Sequence, residues 1–164
     1  MNRQNLLKNR LLVYLISLYT IGLVFGLFIR NNASYSTSSE NKNFFSIFFS
    51  NYWYIFLIWL FGFSIIGYLI SSMIVFVRGF IFGILIRILI VNNFSIFMVI
   101  FVLELLLALP VLIVIAYVSL NYSKENFKIL FNSYSNSVNI NKYINLMLIA
   151  TIIIVVYSLL IYIN

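Results

Sequence analysis

Few residues in this 164-residue chain have side chains that could do chemistry. It has no Cys, no His and no Asp, and its acids are Glu40, Glu104 and Glu125. Zinc sites need clustered Cys, His or carboxylate ligands, which this inventory cannot assemble. A Ser-His-Asp or Cys-His nucleophile has lost its base, and in the second case the nucleophile itself. Intramembrane aspartyl or metal-dependent proteolysis fails on the same ground. The reading assigns no catalytic, cofactor-binding or metal residue and expects a non-enzymatic protein. The absence of Cys also removes any disulfide from which a redox compartment could be read.

One ionisable pair stands out. Glu104 lies about eleven residues past Asn93 in an apolar run, roughly 16 Å deep at ~1.5 Å per residue and close to the middle of a bilayer. A carboxylate at that depth costs a few kcal/mol unless it is paired, protonated or wetted. Arg87, about five residues before the same turn, is expected to reach it. Glu104 then faces the bundle interior, and either pairs with Arg87 or stays protonated beside Pro110, which removes a helical donor. Arg78 is placed near the inner end of its helix, where a long side chain can snorkel to the interface.

These residues need elements to position them, and composition says which. The chain is 64% apolar and 8% charged, whereas soluble domains are roughly half apolar and about a quarter charged. A small globular fold cannot hide that much apolar surface, and disorder requires the opposite composition. The expected fold is all-α: a polytopic membrane bundle of about five helices in one integral membrane domain, 1–164. Spans of about 20 apolar residues predict helices near 11–29, 52–70, 73–91, 94–120 and 143–163. The first run is too long for a signal-peptide core and lacks a small-x-small cleavage site. The 48 residues of 44–91 would make one helix roughly 70 Å long, so they must fold back, and Ser71-Ser72 to Arg78 is the expected break. Residues 44–51 either extend the second helix or lie in the interface. Tyr52, Trp53 and Tyr54 read as an aromatic anchor at its outer end. A short amphipathic surface helix is expected around 124–134.

Orientation follows from the cations. With the N-terminus inside, the inner side carries Arg3, Lys8, Arg10, Lys124, Lys128 and Lys142, plus Arg78, and the outer side carries Arg30 and Lys42. The reading is N-terminus in, C-terminus out. The net charge of +7 thus reflects membrane-flanking loops beside anionic lipid, and nucleic acid is not an expected partner.

All six glycines fall in the apolar segments: Gly22 with Gly26, Gly62 with Gly67, and Gly79 with Gly83. The first and third pairs have GxxxG spacing, which puts two small residues on one face and lets helix backbones approach closely. Within one chain or between chains, the expectation is close helix packing.

The same segments carry a resemblance. The succession GLVFG, then FLIWLFGFSIIG, then RGFIFG is similar to the stage II sporulation protein M family. In that resemblance Asn51 precedes the Leu60-Phe61-Gly62 segment, Arg78-Gly79 with Gly83 opens the third helix, and Glu104 with Pro110 stands for a polar patch before a proline. The likeness runs from about Leu11 to Ile163. It implies a membrane scaffold of the engulfment machinery in endospore formation, in the bacterial cytoplasmic membrane, anchoring peptidoglycan-degrading partners, the stage II sporulation proteins D and P. The alternative function is a substrate-binding membrane subunit of a vitamin-type transporter. Such subunits usually have six helices, and five are counted here.

Overall fold

The computed structural model describes residues 3–29, 43–92, 94–131 and 140–163. Every element among them is helical: α1 (Arg3–Phe28), α2 (Phe44–Gly62), α3 (Gly67–Asn92), α4 (Phe94–Leu103), a single wide π-helical segment Glu104–Ala108, α5 (Leu109–Phe131) and α6 (Ile140–Ile163). Five stretches are long and apolar enough to cross a membrane, α4, the π segment and α5 together making one of them. In hydrocarbon only a helix or a closed barrel satisfies its own backbone donors and acceptors, and this sequence has taken the helical solution throughout its spans.

The break between the second and third spans is at 63–66, not at Ser71-Ser72. The Phe63 and Ser64 amides donate to the Leu60 and Phe61 carbonyls, the Gly67 amide donates to the Ser64 carbonyl, and the Ser64 hydroxyl accepts from the Ile66 amide. A Cβ on Gly67 would collide with the Phe61 carbonyl, so glycine is required where the chain doubles back. Ser71 and Ser72 stay helical because their hydroxyls find partners without breaking it. Ser72 donates to the Tyr68 carbonyl one turn back, at 2.8 Å, and Ser71 pairs with Ser119.

Moving the break back by about two turns settles one open alternative and corrects two expectations. Residues 44–51 belong to α2. Tyr52, Trp53 and Tyr54 lie in the interior of that helix rather than at its end. Arg78, twelfth in a 26-residue helix, is at mid-span rather than at an inner mouth. At the other end of the fourth span, the segment from Lys124 continues α5 to Phe131 instead of forming a separate helix; 132–134 lie outside the described residues.

The glycines act within the chain. On α1 and α3 the two GxxxG pairs face each other: a Cβ on Gly22 would strike the Phe76 carbonyl, and one on Gly83 would strike the Leu23 carbonyl and lie 3.0 Å from the Cα of Gly26. Gly62 instead makes room for the Tyr143 hydroxyl. Against this seam the core is built from Leu15, Ile58, Val75, Ile115, Ala116, Leu120 and Ile154, all buried. The outer surface is equally apolar: Met73, Leu106 and Ile152 are each about two-thirds exposed. Large side chains so placed find in lipid the apolar solvent that water denies them.

Along α2 the apolar face is a ladder of rings at helical spacing, with Phe44 stacked on Phe48, Phe48 on Tyr52 and Tyr52 on Phe56 at centroid separations of 5.1 to 6.2 Å. It packs antiparallel to α6: Trp59 near the end of α2 stacks on Tyr143 near the start of α6, and Phe44 meets Tyr162 at the opposite ends.

Candidate functional site: a polar clasp at mid-span

Glu104 exposes only 1% of its surface, inside the bundle as its depth predicts, but its partner is Arg78 and not Arg87. Arg78 Nη2 lies 2.9 Å from Glu104 Oε2. The same oxygen accepts from the Tyr157 hydroxyl at 2.6 Å, and Oε1 accepts from the Tyr19 hydroxyl at a longer 3.4 Å. Arg78 Nη2 also donates to Asn51 Oδ1 at 2.9 Å. Asn51 is held in that orientation because its Nδ2 donates to the Ile47 carbonyl one turn back, at 2.8 Å. The guanidinium carbon stands 5.5 Å from the centre of the Tyr54 ring, a cation–π contact in a desolvated setting.

Every span contributes: Tyr19 from α1, Asn51 and Tyr54 from α2, Arg78 from α3, Glu104 from the π segment and Tyr157 from α6. A buried ion pair is tolerable when its remaining donors and acceptors are also bonded, and here the carboxylate has three donors. The local backbone serves that end. Pro110 brings no N–H, and the chain before it widens so that the Leu109 amide donates to the Glu104 carbonyl five residues back.

Helical geometry explains the change of partner. Arg78 and Arg87 are nine residues apart, and at ~100° per residue they leave α3 from opposite faces. Arg87 continues the stripe of Gly79 and Gly83, which faces α1. It donates there to the carbonyls of Leu27 and Ile29 at 3.0 and 2.8 Å. A helix C-terminus presents carbonyls without intrahelical donors and a negative dipole end, so a cation there is doubly favoured. Counted from Asn92 at the end of α3 and Phe94 at the start of α4, Arg78 is roughly 21 Å deep and Glu104 roughly 15 Å. An Arg side chain spans that difference. The glycine register alone would have assigned Arg87 to α1. Nothing in the sequence distinguished Tyr19 and Tyr157 from the other tyrosines.

A second polar cluster lies at the α2–α3 turn; Ser71 stands out in the sequence as part of an expected break, while Ser119 and Ser123 do not. The Ser119 hydroxyl donates to the Ile58 carbonyl at 2.8 Å and pairs with Ser71 at 2.9 Å. Ser123 donates to the Ile65 carbonyl at 3.0 Å and accepts from the Tyr68 amide at 2.9 Å. The Tyr143 hydroxyl donates to the Trp59 carbonyl at 2.6 Å, and Asn126 Nδ2 to the Phe63 carbonyl at 3.1 Å. Side chains from α5 and α6 thus satisfy the carbonyls that the end of α2 and its turn expose.

Five apolar spans knotted by one buried ion pair define a multi-pass helical membrane protein. The chain belongs to the stage II sporulation protein M family, whose model matches residues 12–162, and with that family comes a link to sporulation. Neither a curated protein nor a solved structure matches the chain. Three residues that carried the resemblance in the sequence, Asn51, Arg78 and Glu104, are the three the structure joins.

Proposed function

We propose that this protein is a non-enzymatic scaffold of the bacterial cytoplasmic membrane, with its N-terminus inside and its C-terminus outside. In this reading it anchors peptidoglycan-remodelling proteins, the stage II sporulation proteins D and P, during engulfment in endospore formation. The clasp is the observation that carries it. The charges buried at mid-span are engaged with one another, so among the described residues the mid-span surface left to act on other molecules is mainly apolar helix, suited to holding other membrane proteins. Family membership supplies the process. The mechanism is then mechanical: a bundle whose five spans share one polar centre presents its outer faces in a constant arrangement, and partners dock against it.

The test is co-purification of the full-length protein from sporulating cells, together with deletion. Recovery of a cell-wall hydrolase complex and arrest of engulfment are expected. Normal engulfment on deletion, with no hydrolase recovered, overturns the reading. Orientation is tested separately. The chain has no native thiol, so Lys128→Cys should be labelled from the cytoplasmic side only, and labelling from outside would reverse the topology.

A further inference from the structure

Arg78 is engaged in the clasp but not exhausted by it. A guanidinium carries five N–H groups. The bonds to Glu104 and Asn51 are both made by Nη2, and Nη1 and Nε make none among the described residues. These two nitrogens are not sealed in the core. Arg78 keeps 12% of its side chain open, and among the described residues Ser158 Oγ is the one closed-off side-chain polar atom without a partner. Arg78 lies in the seam between α2 and α3. Tyr54 of α2 stands over the guanidinium there, its hydroxyl likewise unsealed and unpaired among the described residues. Ile81, one turn on from Arg78 along α3, is 37% exposed. Held at mid-span by Glu104 and Asn51, Arg78 cannot snorkel. Lipid esters and phosphates begin at the edge of the ~30 Å hydrocarbon core, about 15 Å from its middle, and acyl chains offer no acceptor, so the free donors are costly there.

We propose that a transmembrane helix of a different protein docks at the α2–α3 seam and inserts an Asn or Gln side chain at mid-span. Its carbonyl accepts from Arg78 Nη1 or Nε, and its amide donates to the Tyr54 hydroxyl. This rests on the scaffold reading and adds to it a docking face and the chemistry of the partner. A carboxylate would put a second negative charge beside Glu104 and leave the centre charged in hydrocarbon. A hydroxyl is neutral but brings a single hydrogen, whereas a carboxamide is neutral and carries both an acceptor and two donors. A second copy of this chain, inserted the same way up, presents no free carboxamide at this depth: among the described residues the one at mid-span is Asn51, and both ends of its amide are already bonded.

The test uses the full-length protein in its own membrane, with a benzophenone amino acid in place of Ile81 beside the seam and, as a control on another lipid-facing surface, in place of Ile152 of α6. Light should join the Ile81 probe to a different membrane protein, at a span bearing Asn or Gln within one turn of the attachment point. Tyr54→Phe keeps the ring over Arg78 and should lower the yield about three-fold, the scale of one interhelical hydrogen bond in a bilayer. Replacing the partner's Asn or Gln by Leu should lower the yield further, and Tyr54→Phe should then add nothing. Adducts with lipid alone, the result if water serves the guanidinium, overturn the proposal. So do adducts with a second copy of this chain or with a span lacking a carboxamide, and a yield indifferent to Tyr54→Phe. A protein joined at Ile152 but not at Ile81 would overturn this docking face and leave the scaffold standing. No membrane protein joined at either position would remove both.

Discussion

The clasp around Glu104 and the serine cluster at the α2–α3 turn solve the same problem, polar groups in an apolar solvent, in opposite ways. At the turn, neutral hydroxyls from α5 and α6 each satisfy a particular carbonyl, at Ile58, Trp59 and Ile65. Ser119 and Ser123 each join two partners, but none of these groups is charged, and losing one hydroxyl strands only a carbonyl or an amide. In the clasp, side chains satisfy one another, and the two at the centre are charged. Removing either leaves a bare charge in hydrocarbon. The turn is thus a set of local repairs, whereas the clasp is a single unit to which all five spans are party.

The largest effect should follow from splitting the ion pair. Arg78→Leu or Glu104→Leu should each destabilise the bundle by about 3–5 kcal/mol, the cost of stranding one partner of a buried pair. The double variant should lose less than either single one, because two leucines leave no charge behind. Unfolding equilibria of the four proteins in bilayers or mild detergent measure this directly. Additive losses would mean that the two residues act separately.

Next comes the glycine seam that brings Tyr19 and Arg78 within reach of the clasp. Gly83→Leu forces α1 and α3 apart, an overpacking cost of about 1–3 kcal/mol. It should also slow or abolish disulfide formation between cysteines introduced at Leu23 and Phe80. Gly62→Ala, which displaces the Tyr143 and Ser119 hydroxyls and touches neither α1 nor the seam, should leave that cross-link unaffected.

At the turn, Ser119→Ala and Ser123→Ala each remove two neutral hydrogen bonds and should each cost about 1–3 kcal/mol. Their sum in the double variant would confirm that the repairs are independent. The smallest effect belongs to Arg87→Leu, which releases the Leu27 and Ile29 carbonyls at the end of α1. It should cost about 1 kcal/mol or less and raise amide exchange in the last turn of α1 without changing the clasp. A loss as large as that of Arg78→Leu would show that both arginines serve the same centre.

What could be read in advance divides along the same line. The number of spans, the all-helical fold and the glycine pairs follow from composition and spacing, because lipid imposes them on any chain of this kind. The burial of Glu104 followed from its depth. Its partner did not, because pairing depends on azimuth as well as depth, and the expected pairing with Arg87 counted only depth. The turn after Gly62 was misplaced because serine in water is a helix breaker, while in a bilayer its hydroxyl bonds back to the helix. Tyr157 is 53 residues from the Glu104 carboxylate it bonds, and only packing brings it in.

The five-span clasp also has an order in time. Chains are made from the N-terminus, so Arg78 leaves the ribosome 26 residues before Glu104 and 79 before Tyr157. Through that first interval α3 carries an uncompensated cation, which costs about 2.5–3.5 kcal/mol at the centre of a helix on insertion scales. Because α4 starts at Phe94, directly after α3 ends at Asn92, the interval is short and the carboxylate arrives with the next span rather than a later one. A chain ended before α4 should therefore leave α3 partly outside the membrane, and one ended after α5 should insert it fully. The hydroxyl of Tyr157 arrives last and closes around a pair already formed.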